Sequence, residues 1–308
     1  MWRIDTGRGT GRRVDTVVVG TCNGLLCFCD NNKPSGGISL ANPATGETLG
    51  IPPLPVSYRG THGYGSWKAY SFGYTAATGR YKILHLPCRG DRTGGFNALQ
   101  VFTLGEASWR DVAVPGASCC PDAGLVSAGG AAYWATGGAE SVVSFDLERE
   151  RVAFAAPLPV GADGLGRRLI EFHGRLGLAV CADRPMPART EVWVLGDGKD
   201  PRGWSRRYSV RVQGVERRLA APHFAHGGEY VLTMDWEQKH VYAHRLRGAG
   251  RLRRGEVRSL RIGEPGTAAA SFKNGSYLRT FAYDETTEPL SFYKIGDHRR
   301  GRGGSICR

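Results

Sequence analysis

The sequence predicts an all-β propeller of about six blades, and three features carry that prediction. An x-Gly turn opening a short aromatic or aliphatic strand recurs at Asn23-Gly24, Phe72-Gly73, Gly129-Gly130, His173-Gly174, His226-Gly227 and Asn274-Gly275, with the glycines 49, 57, 44, 53 and 48 residues apart. Between these turns lie short apolar runs with partial period-two alternation, bounded by Gly, Pro, Asp or Thr. Helix candidates such as residues 161–168 are broken by glycine within a single turn. A strand-built unit returning at about 50 residues is one propeller blade. Two sandwiched sheets would account for the strands but not for the period.

Residues 1–13 are polar and glycine-rich and form an irregular lead-in; the propeller is expected over residues 14–296. The first unit has strands at 14–19, 25–29 and 38–40. The turn Asn42-Pro43-Ala44-Thr45-Gly46-Glu47 follows, where Asn bonds its own backbone, Pro fixes φ and Gly permits a left-handed position. The second unit has four strands, at 70–74, 81–86, 99–104 and 109–112, with a hairpin turn at Ala76-Ala77-Thr78-Gly79-Arg80. The third reads as 125–126, 131–134, 142–146 and 152–154, the fourth as 168–172, 176–180, 191–195 and 204–208. The fifth covers 221–224, 230–234, 241–246 and 257–262.

A sixth, short unit follows at 268–272, 277–281 and 290–294. It lacks a fourth strand, so the N-terminal strand 14–19 is expected to complete it and close the ring, because an open edge invites aggregation. Residues 297–308 are a flexible basic tail.

Glycine, 45 of 308 residues, is about twice the usual ~7% and fits many turns. The formal charge of +13 raises a nucleic-acid reading, with Arg245, Arg247, Arg251, Arg253, Arg254, Arg258 and Arg261 as a candidate phosphate stripe. No aromatic platform or reading module accompanies them, so they are read as a solvated loop and strand edge, and nucleic acid is not an expected partner. No run of about 20 apolar residues is present, which excludes a helical membrane span. The opening residues hold no apolar signal core. The eight cysteines are therefore read as mostly small apolar residues in a reducing compartment, cytoplasmic or nuclear.

No catalytic, metal or cofactor site is expected. Cys22, Cys27 and Cys29 lack paired zinc-ligand spacing, and Cys27 and Cys29 share one strand face. His240 and His244 lie four apart on a strand, about 13 Å, too far to share an ion. Neither a dinucleotide fingerprint, a phosphate loop nor a nucleophile elbow occurs. Asp146, Glu148, Glu150 and Glu171 fall near blade edges without a pairing the sequence reveals. Trp109, Trp134, Trp193, Trp204 and Trp236 recur in phase with the units, which assigns them to packing between blades. An enzyme using the central channel and a basic nucleic-acid surface are the alternatives to a protein-binding role.

Several segments in joint order resemble the plant F-box-associated domain. They are Val18-Val19-Gly20-Thr21-Cys22-Asn23-Gly24-Leu25-Leu26-Cys27, Ile38-Ser39-Leu40-Ala41-Asn42-Pro43-Ala44-Thr45-Gly46-Glu47, Pro52-Pro53-Leu54-Pro55 and Phe72-Gly73-Tyr74. Tyr81-Lys82-Ile83, Val101-Phe102-Thr103-Leu104, Trp109-Arg110, Gly130-Ala131-Ala132-Tyr133-Trp134, Ser144-Phe145-Asp146-Leu147 and Glu191-Val192-Trp193-Val194-Leu195 with Trp204 continue the pattern.

The resemblance implies a kelch-like propeller that selects the protein to be ubiquitinated, in a ligase whose F-box docks on a Skp1-type adaptor. The first 16 residues cannot form an F-box, so adaptor binding is expected only through a segment upstream of this chain. The protein target would be met on loops at one rim, for which His62, Tyr64, Trp67, Arg89, Arg92, Arg184, Arg189 and Trp236 are the candidates by loop position and residue type.

Overall fold

In the computed structural model the described residues are 16–55, 66–88, 95–159, 166–181, 189–196, 200, 202–211, 223–225, 230–235, 240–245, 259–261 and 283–294. They form five four-stranded antiparallel sheets, each a simple meander in chain order. Blade 1 consists of β1 (Thr16–Cys22), β2 (Leu25–Asp30), β3 (Gly37–Ala41) and β4 (Thr48–Gly50). Blade 2 contains β5 (Tyr70–Thr75), β6 (Arg80–His85), β7 (Gly95–Thr103) and β8 (Arg110–Ser118). Blade 3 is β9 (Leu125–Ala128), β10 (Ala131–Ala135), β11 (Ser141–Asp146) and β12 (Arg151–Pro157). Blade 4 is β13 (Gly166–Phe172), β14 (Arg175–Cys181), β15 (Arg189–Leu195) and β16 (Trp204–Arg211). The fifth sheet is β17 (His223–Ala225), β18 (Tyr230–Asp235), β19 (His240–Arg245) and β20 (Ser259–Arg261).

The first strands of blades 1 to 4 lie against one another in series, β1 on β5, β5 on β9 and β9 on β13. Each is therefore the inner strand of its blade, as a propeller requires. Period two sends alternate side chains of a strand to different cores. On β14, Leu176, Leu178 and Val180 enter the core shared with blade 3, while Ala179 enters the core on the opposite face of blade 4.

The expectation of about six blades is corrected in two respects. Residues 290–294, expected as a strand, form a 3-10 turn, Leu290–Tyr293, preceded by extended chain from 283; residues 262–282 lie outside the described residues. The Leu290 N–H goes to Glu47 and the Thr286 and Glu288 carbonyls to Asn42, both side chains of blade 1. The N-terminal strand also does not close a last blade. β1 pairs along its length with β2, its nearest neighbour in sequence, through the two-residue turn Asn23-Gly24, which costs far less loop entropy than a partner near the C-terminus.

Two smaller expectations change as well. Gly73 is not a turn residue; it lies within β5, and the turn of its unit is at Ala76–Gly79. A Cβ at Gly73 would fall 2.7 Å from Leu147 Cδ1 and 3.1 Å from Ser127 Cβ, so the glycine lets blades 2 and 3 approach at the axis. Beside it the Ser71 and Ser127 hydroxyls meet at 2.6 Å. Cys27 and Cys29 are the buried apolar residues expected, but Cys88 and Cys119 form a disulfide with Cα atoms 6.2 Å apart.

Trp109 and Trp134 are buried, and Trp193 and Trp204 are half-buried against the core between blades 3 and 4. Trp109 and Trp204 do the same work at the interfaces of blades 1 and 2 and of blades 3 and 4. Each stands at the start of an outermost strand and donates its indole N–H to a carbonyl just past or at the end of the preceding blade, Pro52 O at 2.7 Å and Pro157 O at 2.9 Å. Trp236 lies outside the described residues.

A polar chain crosses blade 2. Gln100, fully buried, donates through Nε2 to Asp111 at 3.1 Å and presents Oε1 to Nδ1 of fully buried His85 at 2.8 Å. The carboxylate fixes the amide orientation, and an amide oxygen only accepts, so His85 carries its proton on Nδ1. Replacing Gln100 by Leu strips the buried imidazole of this acceptor. A loss of about 1–3 kcal/mol is expected in urea denaturation, with the Nδ1 proton signal of His85 exchanging faster.

Candidate protein-interaction site

In a meander blade, the turns between first and second strands share an end with those between third and fourth. The remaining connections leave from the opposite end. Contacts across blades align these ends around the propeller. On the first end, Asn23 reaches the Tyr81 hydroxyl at 3.4 Å, and Lys82 donates to Leu147 O and to Glu150 Oε1. On the second, the Tyr70 hydroxyl donates to Ser35 O at 2.5 Å and Arg167 donates to Ala139 O at 2.8 Å.

The two ends differ in build. The first carries two- to four-residue turns at 23–24, 76–79, 129–130 and 173–174, and also the connections 42–47, 104–109, 147–150, 196–203 and 246–258. A charge cluster holds blades 2 and 3 together there: the Lys82 ammonium sits 2.7 Å from Glu150, Arg110 pairs with the same carboxylate, and Arg110 also lies 3.0 Å from Glu106. The second end carries four long segments, 51–69 between blades 1 and 2, 86–94 within blade 2, 158–165 before blade 4 and 212–222 before the fifth sheet. Long connections on a rigid scaffold are where recognition residues accumulate.

Seven of the eight rim candidates fall in connections that leave from this second end, and Arg189 is the strand residue that follows one of them. Trp67 is in the 3-10 turn Ser66–Ala69, and Arg189 opens β15 opposite Arg211 of β16. His62, Tyr64, Arg89, Arg92, Arg184 and Trp236 lie outside the described residues, in segments whose flanking strands are described.

Sequence reasoning missed a pair beside Trp67. Lys68 Nζ lies 2.7 Å from Asp122 Oδ1, joining the connection before β5 to the one before β9, and Asp122 is well exposed. A lysine and an aspartate 54 positions apart leave no local signal. The Cys88–Cys119 disulfide ties the connection after β6 to the one before β9 at the same end.

The residues weighed for catalysis have structural partners. Asp146 accepts the backbone N–H groups of Glu148 and Arg149, both at 2.9 Å. Partial burial pushes its pKa up, but these bonds and the Arg149 guanidinium outweigh that and hold it low. Glu171 accepts the Gly174 N–H, and Glu150 belongs to the charge cluster. Burial pushes the Cys22 thiol up to about 11, and burial together with the neighbouring Cys29 raises Cys27 well above the ordinary range, so neither is a ready thiolate. His240 and His244 sit on one strand, β19. Among the described residues, no three His, Cys, Asp or Glu side chains converge as a metal site, and no helix is long and apolar enough to cross a membrane.

The profile of the F-box associated beta propeller domain matches residues 10–246, more than three quarters of the chain. The chain belongs to that family. Two Arabidopsis thaliana proteins that carry the F-box name are similar to this F-box associated domain. One is 27% identical over 201 residues, 60% of this chain and 46% of the relative; the other is 24% identical over 253 residues, 71% and 58%. The chain thus spans about half the length of these relatives.

Among solved structures, the Cps50 (Swd1) β-propeller domain of Myceliophteria thermophila is 12% identical with a TM-score of 0.41, covering 82% of this chain and 90% of that one. An exo-β-1,3-galactanase of Phanerochaete chrysosporium is 10% identical with a TM-score of 0.44, covering 74% and 55%. Likeness this slight says nothing about function. Family membership assigns the domain as an F-box associated β-propeller.

Proposed function

We propose that this F-box associated domain selects a protein for ubiquitination and that the long-loop end of the sheets holds the target. The family match over residues 10–246 carries the reading. It is supported by the long connections 51–69, 86–94, 158–165 and 212–222 that leave from that end. Arg89, Arg92, Arg184 and Arg189 lend that rim positive charge and Trp67 and Trp236 offer aromatic anchors, a pairing suited to a target with an acidic, partly apolar epitope. A Skp1-type adaptor would join the assembly only if an F-box precedes residues 1–308.

Affinity capture with mass spectrometry tests both parts. Reversing the four arginines to glutamate is expected to lower recovery of the target at least tenfold without moving the melting temperature by more than about 2 °C, a surface-sized effect. A target retained by this variant and by Trp67→Ala and Trp236→Ala would remove the rim from the reading. Recovery of the adaptor is expected only from a chain extended upstream.

A further inference from the structure

Residues 283–294 lie across the tight-turn end of blades 1 and 2, beyond the stretch that matches the family. Asn42, fully buried, donates both amide hydrogens to backbone carbonyls there, Thr286 O at 3.0 Å and Glu288 O at 2.8 Å. Its own oxygen accepts the Ala44 N–H at 2.9 Å, which fixes the amide so that its donors face outward. Glu47 Oε2 accepts the Leu290 N–H at 2.9 Å. Gly24, at φ +77, makes room for the segment: a Cβ there would sit 2.3 Å from Asp284 O.

One side chain anchors the segment. Leu290 is fully buried in the core between blades 1 and 2, whereas its neighbour Phe292 is 82% exposed. Tyr293 stands edge-on to Tyr81 and donates to Glu288 at 2.6 Å. Backbone bonds combined with a single apolar pocket are how extended peptides are read by preformed surfaces. Every groove residue comes from the propeller, and every residue held comes from one contiguous stretch.

We propose that the turn end of blades 1 and 2 is a peptide-binding groove for an extended segment of the pattern Thr-x-Glu-Pro-Leu, filled here by the chain's own residues 286–290 as a releasable strap. The groove requires nothing of the opposite rim, so it stands or falls separately from target selection there. While the strap is seated, the groove is open to an added ligand only for the fraction of time the strap is out, and apparent affinity falls by that fraction.

The test uses the full chain and a fluorescein-labelled synthetic peptide of residues 283–294, followed by fluorescence polarisation. Leu290→Asp expels the strap while leaving the groove intact. Saturable binding is expected to this variant, at least tenfold tighter than to the unsubstituted chain. A further tenfold loss is expected when Asn42→Ala is added or when the peptide itself carries the Leu290→Asp change. Equal binding to both chains, or none to a Leu290→Asp chain that melts cooperatively, would overturn the groove. If Leu290→Asp does not fold, hydrogen exchange on the unsubstituted chain decides. A Leu290 amide opening at least a hundredfold faster than the amides of β2 and β6 supports a releasable strap, and exchange only through global unfolding overturns it.

Discussion

Glu150→Leu is expected to lower stability by about 3 kcal/mol, and adding Lys82→Met is expected to restore most of that loss. Lys82 has only 7% of its side chain exposed and divides its ammonium between Leu147 O and Glu150. Removing the carboxylate leaves a buried cation facing one neutral carbonyl, and that uncompensated charge is the cost, more than the lost attraction itself. Replacing both partners by apolar side chains removes the charge as well. Arg110 also loses Glu150, but it is 36% exposed and keeps Glu106 and Thr103, so its share is small.

Urea denaturation of the two single variants and the double variant gives the cycle. A double variant no more stable than Glu150→Leu would show that the cluster is held by packing and not by charge compensation. Raising salt should change the single-variant loss little, since burial shields the pair from screening.

How much of this was legible in sequence depends on how far apart the interacting groups are. Runs with two-residue turns, such as 125–126 with 131–134, appear as strands because alternation and turn chemistry are both local. β4 escaped because Thr48–Gly50 offers one buried residue, Leu49, too short for a period to show. Gly73 was placed in a turn because a glycine needed for close approach to Leu147 looks, in one dimension, like a glycine needed for positive φ.

Asn42 shows the division within one residue. Its bond to the Ala44 N–H follows from the Asn-Pro turn, while its bonds to Thr286 and Glu288 span almost the whole chain and have no local trace. The blade count went wrong for the same reason. Apolar residues at 290–293 suggest a strand, yet a strand exists only where a ladder partner does, and here the Leu290 N–H goes to the Glu47 side chain and the chain turns into a 3-10 turn.

Trp134→Ala is expected to cost about 3–5 kcal/mol, among the largest effects of any single truncation in this chain. Trp134 is 1% exposed in the core that joins blades 2 and 3, packed with Phe145, Leu147, Leu84 and Leu99, and its indole N–H donates to Ser118 O at 3.1 Å. Truncation removes the ring's burial, opens a cavity and leaves that carbonyl without the indole. Trp134→Phe fills most of the space but not the hydrogen bond, so about half the loss should return. Trp204→Ala is the control: its indole makes the equivalent kind of bond, to Pro157 O, but is half-buried, and a loss of about 1 kcal/mol is expected.

The same core lies beneath the rim where Lys68 meets Asp122 and Cys88 meets Cys119. Trp134→Ala should therefore weaken target capture at temperatures where the protein is still folded, and Trp204→Ala should not. Equal capture by the two variants would mean that the rim near blades 2 and 3 is not where the target is held.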